Sequence, residues 1–300
     1  MTRRILLAPH GRRTDMHQLV GVIATQLAAH DIECVMSPDT YQRHDDKPNL
    51  TPADQTNPAN GCELVLVLGG DGTILRAAHW AHTADIPLIG INYGHVGFLA
   101  EAEPNNLATT IDRIATGNYH IHPRMTLAIE VWNGNQLIAT DWALNEVTVE
   151  KASRARMIQT IIEIDDRPLS TWGCDGVILA TPTGSTAYAF SSGGPVVWPD
   201  ADSILIVPIA AHALFARPMV VSPTSVVAVE LSGHDMGAAI LVSDGCRSTD
   251  LPPNSRIVIR RGEKPVRLAK LDNEPFTDRI VHKFHLPVRG WRGAGPTEER

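Results

Sequence analysis

Apolar residues in the first 120 positions form short continuous runs that alternate with segments of helical spacing. Continuous runs typical of strands buried on both faces of a parallel sheet occur at Arg4–Pro9, Glu63–Leu68 and Pro87–Ile91. Helical spacing predicts helices at Met16–His30, Ile74–His82 and Asn105–Thr116. The polar segment between Tyr41 and Gly61 predicts a surface loop. The alternation predicts an open α/β domain with a mainly parallel sheet, ending near residue 118.

From His120 onward the pattern changes to short β-type segments separated by turns. Strands are predicted at Thr126–Trp132, Gln136–Asp141, Glu146–Val149, Met157–Ile164, Gly176–Ala180, Val226–Leu231, Ala239–Val242 and Arg256–Arg261. Helical spacing returns at Thr277–Phe284, a last helix that can dock back on the N-terminal part. We therefore predict two domains, 1–118 and 119–300, of which the second is β-rich.

Composition and charge exclude several classes of protein. The chain of 300 residues has a net charge of -7 and 5% aromatic residues, which argues against binding nucleic acid. Its four cysteines are scattered, so neither a disulfide framework nor a zinc site is indicated, and a cytoplasmic location is expected. The longest apolar stretch, Ser203–Ala216, contains a proline and a histidine and is too short for a membrane span.

The segment Leu68-Gly69-Gly70-Asp71-Gly72-Thr73 follows a buried strand and precedes a helix. Backbone amides of such a glycine-rich turn, together with the positive end of the helix, form an anion cradle. We expect Gly69, Gly70, Gly72 and Thr73 to bind phosphate. A carboxylate at Asp71 opposes phosphate, but it is well placed to hold a substrate hydroxyl or a metal. The alternative interpretation is that Asp71 is simply a helix N-cap.

Two further segments carry polar groups suited to a nucleoside. The first runs from Asp175 through Thr181-Pro182-Thr183-Gly184-Ser185-Thr186-Ala187-Tyr188 to Ser191-Ser192-Gly193-Gly194, and the second is Asn145-Glu146. Hydroxyls and backbone groups in one turn can bind an adenine edge and a ribose, although an ordinary Ser/Thr-rich loop has the same composition. An amide beside a carboxylate can likewise pair with a base edge and a ribose hydroxyl.

These motifs resemble those of known kinases. The GGDGT segment is similar to the signature of NAD kinases, of diacylglycerol and sphingosine-type lipid kinases and, more distantly, of phosphofructokinases. TPTGSTAY followed by SxGGP resembles the NAD kinase family alone, as do Asn145-Glu146 and the segment Gly90–Leu99. Trp172–Asp175 and His212–Pro218 look like the actinobacterial members. The resemblance covers roughly residues 60–290.

The resemblance implies a kinase that transfers a phosphoryl group to the 2′-hydroxyl of the adenosine ribose of NAD, producing NADP. Asp71 would be the proton acceptor. Contacts with NAD would come from Asp71, Gly72, Arg76, Phe98, Asn145, Glu146, Arg156, Asp175, Thr186, Ala187, Tyr188 and Ser191. Rival interpretations are a lipid kinase and a nucleotide-binding regulator without turnover.

The donor implied by the family is ATP, with polyphosphate as a second donor. We expect a divalent metal, Mg²⁺, to arrive on the donor phosphates, with no metal site built by the protein alone. The expected partners are these small molecules and further copies of the chain, as a dimer or tetramer, without nucleic acid or membrane.

The lack of a side chain at Gly173 leads to a first testable prediction. Gly173 places no charge two residues before Asp175, where the resemblance puts the dinucleotide, so nothing there rejects a reduced nicotinamide ring. We expect NADH to be phosphorylated measurably in an assay that compares it with NAD. A rate with NADH below about a thousandth of that with NAD, roughly 4 kcal/mol of selectivity, would contradict this.

Overall fold

The computed structural model describes residues 2–11, 15–44, 48–92, 97–100, 107–153, 156–232, 238–272 and 274–288, with the backbone alone at 15–18. The strands are β1 (Arg3–Pro9), β2 (Ile32–Met36), β3 (Leu50–Pro52), β4 (Leu64–Leu68), β5 (Leu88–Ile91), β6 (His120–Arg124), β7 (Leu127–Asn133), β8 (Gln136–Ala143), β9 (Glu146–Lys151), β10 (Ile158–Ile164), β11 (Arg167–Cys174), β12 (Gly176–Ala180), β13 (Ile204–Ile209), β14 (Met219–Val221), β15 (Val227–Leu231), β16 (Ala239–Ser243), β17 (Arg247–Leu251), β18 (Ser255–Arg261) and β19 (Val266–Lys270). The helices are α1 (Asp15–Ala28), α2 (Pro38–Arg43), α3 (Asp71–Ala84), α4 (Leu107–Ala115), α5 (Tyr188–Ser191) and α6 (Phe276–Phe284), with a 3₁₀ helix at Thr183–Thr186.

The chain divides into two compact units. Unit 1 comprises Met1–His122 and Arg267–Arg300, and unit 2 comprises Pro123–Val266. The two-domain prediction put its boundary at 118/119 and assigned the whole C-terminus to the second domain. In the structure the C-terminal segment with α6 groups with unit 1, as a helix that docks back would.

Unit 1 is an open α/β structure. Its seven strands are ordered β3-β2-β1-β4-β5-β19-β6, and all pairs from β3 to β19 are parallel. Every residue of β4 is buried, as its continuous apolar run predicted. Leu68 at the end of β4 lies in register with Ile91 at the end of β5, and the amide of Gly69 donates to the carbonyl of Ile91. The GGDGT segment therefore begins where two neighbouring parallel strands end.

Unit 2 is built from two six-stranded antiparallel sheets, ordered β11-β10-β15-β18-β7-β8 and β14-β13-β12-β9-β16-β17. One hydrophobic cluster contains side chains from both sheets, such as Ile129 and Ile257 from the first and Val149 and Val177 from the second. The two sheets thus bury their inner faces against a common core. The predicted fold class, an α/β domain plus a β-rich domain, is confirmed.

Strand β12 is buried on both faces, which explains its unbroken apolar sequence. Val177 and Leu179 belong to the core between the sheets, whereas Ile178 and Ala180 pack on the outer side with Ala189 of α5. The outer face of this sheet is therefore covered by the segment that follows β12. This packing positions the TPTGSTAY residues directly beyond the strand end.

Several sequence-based assignments are corrected. The segment Tyr41–Gly61 is not only a loop, because α2 ends at Arg43 and β3 pairs in parallel with β2, although 45–47 lie outside the described residues. The helix predicted from Ile74 already begins at Asp71. Exposed edge strand β11 was missed because only Trp172 and Cys174 of its residues are buried. The apolar stretch from Ser203 contains strand β13, also missed.

Candidate active site

Asp71 is the first residue of α3, and both oxygens of its carboxylate accept hydrogen bonds from one short backbone segment. The amide of Phe98 donates to Oδ2 over 3.0 Å, and the amide of Leu99 donates to Oδ1 over 3.1 Å. An acidic residue in the first turn is also favoured by the positive end of the helix dipole. The carboxylate is consequently fixed in orientation while each oxygen keeps a lone pair for another donor.

Gly97 makes this contact possible. A Cβ atom at residue 97 would lie 2.2 Å from Oδ1 of Asp71 and 2.6 Å from its carboxyl carbon. Any side chain there would displace either the carboxylate or the loop. Gly97, within the segment Gly90–Leu99 noted in the sequence, therefore allows the close approach of Asp71. Four other residues of that segment, Tyr93, Gly94, His95 and Val96, lie outside the described residues.

The predicted phosphate cradle has fewer available backbone amides than the sequence suggests. The amide of Gly69 donates to Ile91, and the amide of Thr73 donates to the carbonyl of Gly70 over 2.9 Å, so neither of these two amides faces a ligand. Asp71, Gly72 and Thr73 form the first turn of α3, with Gly70 as the N-cap residue. The amides of Gly70, Asp71 and Gly72 remain at the helix N-terminus, where helices leave backbone donors unsatisfied.

The other predicted contacts in unit 1 lie near this turn. Arg76 is exposed on the second turn of α3. The ring of Phe98 is half-buried and packs against α6, with its centroid 6.0 Å from that of Phe276 and 5.9 Å from that of Phe284. Phe98 therefore anchors the loop that binds Asp71, and its contact with a dinucleotide stays a prediction.

In unit 2, the corner between β8 and β9 is organised by a carboxylate that the sequence did not single out. Asp244, whose side chain is fully buried, accepts hydrogen bonds from the amides of Leu144, at 3.0 Å, and Asn145, at 2.7 Å. Its own amide donates to the carbonyl of Glu146. Arg247 lies 3.5 Å from the same carboxylate and pairs with Asp141 at 3.0 Å. These contacts fix the backbone that carries Asn145 and Glu146.

The side chains of Asn145 and Glu146 are buried, with exposed fractions of 6% and 7%. Within the described part of the chain, Oδ1 of Asn145 and Oε2 of Glu146 have no hydrogen-bond partner. A buried polar atom without a partner is costly, and such atoms are typical of sites that bind a ligand. The pair thus fits the predicted role in binding a nucleoside.

Burial, followed by the negative charge of Asp244, raises the pKa of Glu146 to about 8, and the amide of Tyr188 counteracts this by donating to its carboxylate. Burial likewise raises the pKa of Asp244, against the effect of the amides and of Arg247. Two carboxyl groups in one desolvated corner resist being ionised together. A ligand donor that bonds to Glu146 would favour its ionised form.

The TPTGST turn is bound directly to this corner. The amide of Thr181 donates to the carbonyl of Asn145 over 2.9 Å, and its hydroxyl donates to the carbonyl of Leu144 over 2.5 Å. A Cβ atom at Gly184 would lie 2.1 Å from the carbonyl oxygen of Asn145, so only glycine fits there. The hydroxyl of Ser185 exchanges hydrogen bonds with the backbone of Val197. These residues therefore position the turn. The predicted ligand contacts are those of the residues that follow, from Thr186 onward.

The remaining predicted residues of unit 2 differ in exposure. Thr186 and Ala187 are half-buried, whereas Tyr188 and Ser191 of α5 are exposed. Asp175 lies between β11 and β12, and its Oδ1 is 2.5 Å from Nζ of Lys151. Arg156 is exposed in the segment before β10. The structure places the backbone amide of Tyr188 against the carboxylate of Glu146. The carboxylate of Asp175, in contrast, is already paired with Lys151.

The sequence reasoning missed three residues that organise the site: Gly97, Thr181 and Asp244. Gly97 and Thr181 lie inside motifs that were noticed, but their roles depend on contacts with residues 71 and 145. Asp244 stands in the turn Ser243-Asp244-Gly245 between β16 and β17, with a left-handed φ of 50°. That Asp-Gly pair signals a turn and nothing more, so only the fold reveals its contact with residue 145.

Neither a metal cluster nor a membrane helix is found in the described ranges. No group of three His, Cys, Asp or Glu side chains among those residues could hold a metal ion. None of the helices in the same ranges is both long and apolar enough to cross a membrane.

Comparison with known proteins decides the family. Residues 15–119 match the ATP-NAD kinase N-terminal domain, and residues 144–271 match the ATP-NAD kinase C-terminal domain. An NAD kinase from Corynebacterium jeikeium is 48% identical over 300 residues, covering 97% of this chain and 90% of the relative. An NAD kinase from Corynebacterium glutamicum is 56% identical over 236 residues, covering 78% and 81%. The chain belongs to the NAD kinase family. It is therefore an enzyme of the phosphotransferase class.

Solved structures agree with this NAD kinase fold. A yeast NADH kinase complexed with NADH superimposes with a TM-score of 0.84, covering 99% of this chain and 90% of the other, at 20% identity. An NAD kinase from Archaeoglobus fulgidus in complex with ATP has a TM-score of 0.69 and 26% identity, covering 94% and 98%. The resemblance expected from the sequence motifs is confirmed.

The buried carboxyl of Glu146 predicts how stability depends on pH. Its pKa in the folded protein, about 8, exceeds the ordinary value of 4.5, so between these two pH values the folded state binds more protons than the unfolded state. Stability then falls as the pH rises through that window. We expect the melting temperature of Glu146→Gln to exceed that of the wild type by a margin that grows across the window. A difference in melting temperature between the variant and the wild type that stays constant across this pH window would contradict this.

Proposed function

We propose that the protein transfers the γ-phosphoryl group of ATP to the 2′-hydroxyl of the adenosine ribose of NAD, yielding NADP and ADP. The O–H bond of the ribose breaks, an O–P bond forms at the γ-phosphorus, and the bond between that phosphorus and the bridging oxygen of ADP breaks. Asp71 takes the proton. The observation that carries this proposal is the Asp71 carboxylate, held by two amides at the N-terminus of α3.

The donor side is proposed to use the amides of Gly70 and Gly72. Among the described residues, a Cβ atom at Gly72 would meet nothing within 4 Å, so there is open space beside the first turn of α3 for phosphate oxygens. The same open space would admit a Mg²⁺ ion carried on those phosphates, which would supply most of its oxygen ligands. A metal ion held there would supply positive charge to offset the negative charge of the transferring phosphoryl group. Gly69 and Thr73 shape the turn.

The acceptor side is proposed to use Asn145 and Glu146. Their buried atoms without partners support a role as nucleoside ligands, Asn145 at a base edge and Glu146 at a ribose hydroxyl. Further proposed contacts with NAD are Gly72, Arg76, Phe98, Arg156, Asp175, Thr186, Ala187, Tyr188 and Ser191. Among these, Asp175 must share its carboxylate with Lys151.

Membership of the NAD kinase family favours this reaction over that of a lipid kinase, whose resemblance rests on the GGDGT segment alone. Polyphosphate stays an alternative donor. We also propose, from likeness to the family, that the protein acts in the cytoplasm as a dimer or tetramer.

An assay of NADP formation from NAD and ATP with Mg²⁺ tests the proposed function. We expect NADP to accumulate with ATP, and parallel reactions with polyphosphate replacing ATP, or with diacylglycerol or sphingosine replacing NAD, compare the alternatives. Phosphorylation of a lipid without formation of NADP would overturn the proposal.

Glu146→Ala tests the acceptor side. Loss of a hydrogen bond to a charged group costs roughly 1.5–3 kcal/mol, which corresponds to a ten- to hundredfold rise in the KM for NAD. The KM for ATP should change little. The assay is made at about pH 8.5, where the Glu146 carboxyl is mostly ionised.

Asp250→Ala, which removes an exposed carboxylate from the same sheet, is the control and should leave both constants unchanged. A rise in the KM for ATP with that for NAD untouched would show that the two sites are assigned the wrong way round.

A further inference from the structure

Arg279 is a buried cation. It is distant in sequence from the residues proposed to bind NAD and ATP. It lies on α6, near the C-terminus, and is 1% exposed. Its Nη1 donates to the carbonyl of Phe98 over 3.2 Å and to the carbonyl of Ala100 over 2.9 Å, and its Nε is 3.1 Å from Oε2 of Glu274. A charged side chain is almost never buried so completely unless its partners compensate for lost hydration. Here two of those partners are backbone carbonyls of one loop.

That loop is the one that binds Asp71. The carbonyl of Phe98 and the amide of Leu99 belong to the same trans peptide group. Arg279 donates to the carbonyl end of this group, and the amide end donates to Oδ1 of Asp71. The three groups therefore form a continuous chain from the guanidinium, through one peptide, to the carboxylate.

Such a chain affects Asp71 in two ways. Arg279 fixes the direction of the Leu99 amide, because both ends of a planar peptide turn together. It also polarises the peptide, since hydrogen bonds in series strengthen one another at low dielectric. The ring of Phe98 also packs against Phe276 and Phe284, and these side-chain contacts hold the same loop against α6.

We propose that Arg279 is a positioning residue for phosphoryl transfer, which orients the Asp71 carboxylate through the Phe98–Leu99 peptide. The proposal rests on the proposed function of Asp71 as proton acceptor. It assigns to the C-terminal helix an indirect part in the chemistry, since α6 supplies the cation that fixes the loop.

A purely structural role for Arg279 would be to fasten the C-terminal segment to unit 1. Another arginine provides a matched control for that role. Arg113 on α4 fastens the chain just before α6, through Asp272 at 3.0 Å and through the carbonyl of Leu271. Neither of these contacts involves the loop that binds Asp71. Arg113→Ala should therefore lower thermal stability and leave kcat close to that of the wild type.

The first experiment compares Arg279→Lys, Arg279→Ala and Arg113→Ala by steady-state kinetics and thermal unfolding. Lysine keeps the charge but cannot repeat the planar fork of a guanidinium. We expect kcat to fall about 10- to 100-fold in both Arg279 variants, as for a small misplacement of a catalytic group, with the KM for NAD nearly unchanged. Guanidinium ions added at non-denaturing concentration should restore part of kcat in Arg279→Ala. A fall in kcat no larger than in Arg113→Ala would overturn the proposal.

The second experiment places Arg279→Lys in an Asp71→Asn background. If Arg279 acts through Asp71, its substitution should lower kcat in the wild-type background and have little further effect in the variant that lacks the carboxylate. Equal losses in both backgrounds would show an independent structural role. The wild-type assay separates this test from the proposed function, because absence of NADP formation by the wild type would refute the function itself.

Discussion

The hydrogen bonds from the Phe98 and Leu99 amides to Asp71 are the contacts on which the organisation of unit 1 around the GGDGT segment depends. They require glycine at residue 97, because a Cβ atom there would overlap the carboxylate. They also join the first turn of α3 to a loop held by α6. A carboxylate at a helix N-terminus is stabilised whether or not a substrate is bound. The Asp71 carboxylate is thus compatible with stability, and each of its oxygens keeps one lone pair for a substrate donor.

Unit 2 uses a buried carboxylate differently. Asp244 binds backbone amides at the corner that carries Asn145 and Glu146, while Oδ1 of Asn145 and Oε2 of Glu146 have no partner among the described residues. The cost of that arrangement is visible in the raised pKa of Glu146. A ligand that supplied the missing donors would compensate for the desolvation of these atoms, which supports the proposed role of the corner in binding a nucleoside.

The sequence predicts what depends on local pattern. The buried strand at Leu64–Leu68, the motif around Asp71 and the pair Asn145-Glu146 stand out because their apolar runs and glycines follow simple rules. It does not predict contacts between distant segments, such as those of Asp244 and Arg279. It also misplaces the start of α3, because a helix that begins inside a glycine-rich motif looks like a turn. Tertiary contacts override weak local propensity at such points.

The most direct measurement determines NAD affinity by calorimetry and turnover by steady-state assay on one sample of Asp71→Asn. The amide cannot take the proton, so turnover should fall about 10²–10⁴-fold. NAD affinity should change little, and ATP affinity should not fall, since a negative charge beside the phosphates is removed. Near-normal turnover, or loss of NAD binding together with the fold in a thermal unfolding scan, would show that Asp71 is a structural cap and contradict its role as proton acceptor.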